Sequence, residues 1–189
     1  MQTRAIVPTT TMNLRSIHLA LALALLSTLS SCTVYKGVFA DPSPAPGTQV
    51  NWPGRSFATV KAYCYDYTAE ADPAFLINGR MHKGVMNPNG TTLSPAQVDR
   101  LMKIITVSAP RSKRTSCYKP HHAFVFYGDK GQVVAELDMC FGCNKFVETP
   151  DGLPEYFETE ALYNLVGELG LPLGVGNKFY TEACSAGRR

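Results

Sequence analysis

The chain has 189 residues, 45% of them hydrophobic and 17% charged, which is enough apolar side chain for one buried core. With 18 Lys+Arg against 15 Asp+Glu the formal charge is +3, too even to demand an anionic partner. Nucleic acid is therefore not expected among its partners.

Residues 1–31 carry Arg4 and Arg15 and then the apolar run "IHLALALALLSTL" at 17–29. A bilayer-spanning helix needs about 20 apolar residues, so this run has the size of a signal-peptide core instead. A second start at Met12 would give a tighter signal of the same kind. The run ends in Leu29-Ser30-Ser31-Cys32, which resembles a bacterial lipobox. The resemblance implies that 1–31 is a lipoprotein signal peptide and that Cys32 becomes a lipid-modified N-terminus. Acyl chains then anchor the protein, each buried methylene adding about 0.8 kcal/mol. Thr33 follows Cys32 where an aspartate would retain enterobacterial lipoproteins in the inner membrane. By that resemblance the protein belongs to the cell envelope, on the outer membrane facing the periplasm. Without residues 1–31 the formal charge falls to +1.

Residues 32–54 contain four prolines and three glycines with little periodicity, and read as the lipidated cysteine followed by a semi-extended tether. Residues 55–189 then form a single α+β domain. "FATVKAYCYDY" alternates and is rich in aromatic and β-branched residues, predicting a strand over 58–67. Asn78-Gly79 marks a tight hairpin between two short strands. Ser94 and Pro95 open a helix with Val98, Leu101, Met102 and Ile105 on one face. The basic stretch with Arg111, Lys113, Arg114 and Lys119 reads as a solvated loop. A second hairpin joins 123–127 to 133–139 around "GDKG", and a last helix over 159–169 stops at Gly170 and Pro172. The expected fold is α+β, a small antiparallel sheet built from hairpins with two packed helices. Trp52 is expected to pack on the domain, His82 to lie on the surface near a turn, and the Tyr and Phe residues of the strands to pack the core. Asp138 reads as a solvated strand residue, or as a hydrogen-bond acceptor for a ligand histidine.

The chemistry gathers at the second hairpin. A turn centred on Asp129-Lys130 sets His121 and His122 beside Asp138 and Leu137 and brings Cys117 to the 142–143 region. Cys117, His122, Cys140 and Cys143 then form C-x4-H-x17-C-x2-C. Two thiolates of a C-x2-C knuckle, a third sulfur and an imidazole suit tetrahedral zinc, and soft sulfur also suits copper(I). Adjacent strand residues point to opposite faces, so at most one of His121 and His122 shares a face with a given sulfur. Disulfides are the competing reading, since they are the default in an exported protein. A redox C-x2-C is weaker because "NKFVETPDG" after Cys143 is a poor helix. Besides Cys32 there are five cysteines, so one at least is left over. A Cys64–Cys184 bridge with the rest as ligands is one economical solution; two disulfides and a spare thiol is another.

The same residues carry a resemblance. Cys117, Pro120, His121-His122, Phe126-Tyr127 and Cys140-Phe141-Gly142-Cys143, with "LSPAQVDRLM" upstream and "LVGELGLP" downstream, resemble a family of uncharacterised bacterial exported proteins over about residues 58–175. The resemblance implies His122 rather than His121 as the ligand, and brings no activity with it. G-x-S-x-G, H-E-x-x-H, P-loop and C-x-x-C-H signatures are absent from the sequence, which makes an enzyme the weaker expectation. The reading is thus a lipid-anchored envelope protein whose Cys/His hairpin cluster binds a thiophilic metal in a structural role. The alternative is a disulfide-stapled envelope module that binds a protein partner, without metal or catalysis. Cys32→Ala is expected to release the protein from the membrane fraction and abolish acyl labelling. Unchanged fractionation and labelling would reject the anchor.

Overall fold

"TVKAYC" and "HAFVFY" both alternate branched and aromatic residues, and both become strands at the centre of a sheet. The computed structural model describes residues 43–187; the signal peptide, Cys32 and the start of the tether lie outside them. In chain order the elements are β1 (Thr59–Cys64), β2 (Leu76–Ile77), β3 (Arg80–Met81), β4 (Thr91–Thr92), α1 (Pro95–Thr106), β5 (His122–Tyr127), β6 (Val133–Cys140), β7 (Lys145–Thr149), α2 (Thr159–Glu168) and α3 (Gly176–Gly187). Five strands form one antiparallel sheet in the order β4-β1-β5-β6-β7, and β2-β3 form a separate ribbon. This is the expected α+β architecture with a third helix added. Among the described residues no helix is long and apolar enough to cross a membrane.

The pleat sorts the side chains into two layers. Val60, Ala62, Cys64, Phe124, Phe126, Leu137 and Met139 pack with Leu101 and Ile105 of α1 and Leu162 and Leu165 of α2. The opposite face gathers Tyr63, Tyr65, Phe75, Ala123 and Val125. β5 is therefore covered on both sides, and each large apolar side chain removed from water stabilises by roughly 1.5–3 kcal/mol. Helix α1 starts as its sequence predicts. The Ser94 hydroxyl accepts from the Gln97 N–H at 3.3 Å, and the Gln97 side chain accepts from the Ser94 N–H at 2.9 Å. The Asn78-Gly79 turn also forms, both residues taking positive φ, 53° and 76°.

The β5–β6 register differs from the expected one by two residues: His122 faces Met139 and Ala123 faces Asp138. The Gly128 N–H donates to the Gln132 carbonyl and the Gly131 N–H to the Gly128 carbonyl, so the loop extends to Gln132. A bulge between Phe126 and Tyr127 adds the rest. A two-residue slip preserves which residues share a face while moving the ends.

Four local expectations are corrected. His82 is buried, its Nδ1 accepting from the Gly84 N–H at 3.0 Å, because the turn folds its ring against Tyr65. Asp138 is also buried and accepts from the Phe75 N–H at 2.9 Å, since the segment before β2 covers that face of the sheet. Within the basic loop Arg114 is only half-exposed and lies over the Tyr156 ring at 4.4 Å, so desolvated stacking replaces full hydration there. The fourth concerns the tether, whose described end belongs to the domain. Gln49 pairs with Val107, and the Val50 N–H donates to the Thr106 carbonyl at 2.9 Å. Trp52 is 3% exposed, meets Phe126 edge-on at 5.1 Å, and donates from Nε1 to the Pro150 carbonyl at 2.6 Å. Trp52 thus packs on the domain as expected, whereas nothing in a proline-rich stretch without periodicity marked Gln49 and Val50 as joining it.

Trp52→Ala should therefore lower stability by about 3–5 kcal/mol. A chain beginning at Arg55 should lose at least as much in chemical unfolding. A midpoint unchanged from that of the full mature chain would return residues 43–54 to the tether.

Candidate functional site

The site is built where β5 and β6 run out. β6 ends at Cys140, and a 3-10 turn over Phe141–Cys143 carries the chain across. Asn144, with φ 52° and ψ 45°, then reverses it into β7. Asparagine tolerates this left-handed conformation, and its side chain adds a second role. The Asn144 Nδ2 donates to the Ser112 hydroxyl at 2.6 Å and to the Lys113 carbonyl at 3.3 Å, tying the 112–117 loop to the turn. The Thr115 N–H donates to the Cys143 carbonyl at 3.2 Å. These bonds carry Cys117 to the C-x2-C knuckle.

Cys117 and Cys143 form a disulfide with S–S 2.03 Å across Cα atoms 5.8 Å apart. Their sequence separation of 26 residues makes the bridge worth roughly 3–4 kcal/mol by loop closure. Cys140 is a buried thiol beside it. All three sulfurs lie within 4.8 Å of one another, so the predicted convergence of Cys117, Cys140 and Cys143 is present. The cluster could hold a metal ion once the bridge is opened.

Neither imidazole joins the sulfurs, contrary to the expected ligand set of Cys117, His122, Cys140 and Cys143. Alternation along β6 puts Met139 and Cys140 on opposite faces. His122 pairs across with both Cys64 and Met139, so it lies on the helix-facing side. There its Nε2 donates to the Pro172 carbonyl at 2.8 Å, and complete burial pushes its pKa down to about 4. His121, the alternative ligand, stacks on Tyr180 with ring centroids 3.6 Å apart, its Nδ1 3.0 Å from the Tyr65 carbonyl. Burial lowers its pKa as well, against smaller opposing contributions from that carbonyl and Asp66. Both rings are engaged elsewhere.

The Cys64–Cys184 bridge is not formed either. Cys64 is a thiol at the end of β1, 3.9 Å from the Pro172 carbonyl, and burial pushes its pKa up to about 12. The Cys184 sulfur donates to the Gly84 carbonyl at 3.2 Å. Cys184 sits on α3, a helix that sequence reasoning missed. Among its described side chains only Tyr180 and Cys184, at i and i+4, are buried, too weak a stripe to predict a helix.

A cleft of about 480 Å³ opens beside the cluster, lined by the three cysteines, Lys119, Phe141, Tyr163 and Tyr180 among others. Further along β6, on the same face as Cys140, lies a carboxyl pair, Asp138 buried and Glu136 half-buried. Glu136 accepts from the Leu76 N–H at 2.8 Å, as Asp138 does from Phe75. Burial raises the Glu136 pKa to about 7, and burial with the neighbouring Glu136 charge raises Asp138 well above its usual range.

No family model, curated protein or solved structure matches the chain. The function therefore has to be read from this geometry.

The titrating groups on the two faces oppose each other. The unfolded chain protonates His122 near 6.5 and the folded chain only near 4, so acidification through that window favours unfolding. Glu136 binds its proton up to about 7 when folded but only to about 4.5 when unfolded, so raising the pH through that window favours unfolding. Glu136→Gln should lessen the second slope, Asp138 keeping its own share of it, and make stability fall more steeply from pH 6.5 to 4.5. His122→Gln should remove the first, each by on the order of 1 kcal/mol per pH unit. Chemical unfolding at a series of pH values checks this, and parallel profiles for all three proteins would contradict it.

Proposed function

We propose that the chain is a lipid-anchored cell-envelope protein whose three-cysteine cluster, when reduced, holds one thiophilic ion that stabilises the fold. One observation carries the proposal: three sulfurs from two separate segments lie within 4.8 Å of one another. Zinc accepts three protein ligands with a further position open, and copper(I) favours soft sulfur. The anchor rests on Cys32 in "LSSC", and the placement on the outer membrane facing the periplasm rests on Thr33. The ion would link the 112–117 loop to the β6–β7 turn, the same two pieces that the disulfide links.

A second reading is favoured by the bridge itself, which uses two of the three sulfurs. In it the protein is a stapled module without metal. Its cleft, rimmed by the half-exposed Phe141 and the exposed Tyr163 and Val175, takes a protein partner of the envelope.

Native mass spectrometry separates the two. Full mature protein, reduced and stripped with chelator, should take up one zinc or copper(I) ion per chain under anaerobic conditions. Cys140→Ser should weaken that uptake at least tenfold, and affinity should fall as the pH drops because thiolates are the ligands. Reduced protein that stays metal-free at micromolar ion would reject the metal reading and leave the stapled module.

A further inference from the structure

The three sulfurs differ in a way that neither a staple nor a metal site requires. All three line the cleft, but Cys140 and Cys143 are each 2% exposed, whereas Cys117 is only half-buried. The Thr115 hydroxyl lies 3.1 Å from the Cys117 sulfur. A bridged sulfur carries no hydrogen, so the hydroxyl is the donor. A third thiol, Cys140, sits within 4.8 Å of both bridged sulfurs.

We propose that the cluster is a thiol–disulfide exchange centre in which Cys140 displaces Cys117 from the bridge and Cys117 then captures an external disulfide. In the first step the Cys140 thiolate attacks the Cys143 sulfur. The Cys140–Cys143 bond forms, the Cys117–Cys143 bond breaks, and the proton lost by Cys140 is taken up by Cys117. No oxidant or reductant is consumed. The direction follows from the surroundings of the leaving sulfur. Charge departing on Cys117 meets the Thr115 hydroxyl and reaches solvent, whereas charge departing on Cys143 would stay buried. The new pair spans one turn of C-x2-C.

In the second step Cys117 releases that proton to solvent and its thiolate attacks an external disulfide R–S–S–R. A mixed disulfide forms on Cys117, and R–S⁻ leaves and takes a proton. The cleft beside Cys117 offers Phe141, Tyr163 and Val175 with Lys119. That lining fits a polypeptide segment with apolar side chains flanking its cystine better than a small polar thiol. The proposal needs the three sulfurs but no ion, so it stands or falls separately from the metal reading.

The test uses full mature protein with its bridge intact, with chelator present throughout. The probe is a leucine-flanked cysteine peptide dimerised through its disulfide, with glutathione disulfide beside it. Acid quenching and peptide mapping by mass spectrometry should find the peptide adduct on Cys117 and the internal bridge moved to Cys140–Cys143. The peptide should react at least ten times faster than glutathione disulfide. Cys140→Ser should keep the Cys117–Cys143 bridge and form no adduct on Cys117. Cys117→Ser should oxidise to a Cys140–Cys143 bridge, which checks the geometry in a second variant. An adduct on Cys140 with the original bridge intact, or no adduct, would overturn the exchange. So would Cys140 and Cys143 remaining unpaired in Cys117→Ser under the same oxidation. A peptide rate no greater than that of glutathione disulfide would overturn the polypeptide substrate.

Discussion

The antiparallel pairing of β5 with β6 is the constraint on which the rest depends. It buries β5 on both faces and sends alternate residues to different surroundings. One face is apolar and packed by helices, and it receives His122 opposite Met139. The other receives Ala123 opposite Asp138, under the segment that leads into β2. Polar groups on both faces are thereby desolvated, and each needs a partner from a distant part of the chain. Pro172 supplies the carbonyl for His122, and Phe75 supplies the N–H for Asp138. The hairpin thus draws in the helix-to-helix connection on one side and the β2 region on the other.

The ends of this pairing are where the chemistry collects, for a physical reason. Inside the sheet a sulfur would be held in a fixed row, a strand spacing away from its neighbours. At Cys140 the row stops, and the 3-10 turn swings Cys143 round while the 112–117 loop comes up alongside. Three sulfurs from two separate segments are then gathered within 4.8 Å of one another. Asn144 stabilises this arrangement twice, by its left-handed backbone and by its side-chain bonds to the loop. It has no thiol, imidazole or carboxylate, so nothing in its chemistry marks it as part of the site in the sequence.

Legibility followed the range of the interactions. The capping box at Ser94, the Asn78-Gly79 turn and the two long strands are local, and each was readable from adjacent residues. The convergence of Cys117 with Cys140 and Cys143 was readable too, because it needed only a hairpin and a count of positions. The histidines were not. Which face His122 takes depends on the pleat, and which atom it binds depends on Pro172, 50 residues away. Asp138 on an alternating strand looks solvated until the β2 segment, 63 residues earlier, is laid over it. His82 is a similar case, buried by contacts that leave no periodic trace. The helix bearing Cys184 was missed because only two of its positions face the core.

The arithmetic of the sulfurs is the most informative part of the site. A loop-closing staple is complete with Cys117 and Cys143, and a third cysteine beside them adds nothing to loop closure. Burying a thiol next to a disulfide also exposes the bridge to exchange whenever that thiol ionises. A purely structural bridge would be safer with a serine or alanine at position 140. A buried cysteine also packs as a small hydrophobe. What a third sulfur within 4.8 Å adds is that an opened bridge could gather three thiolates around an ion or pass the bond from one pair to another. Both uses draw on the same atoms, and they exclude each other at any instant, because an ion needs the sulfurs reduced and exchange needs one bond kept. On the two proposed readings, the redox state around the protein would select between them.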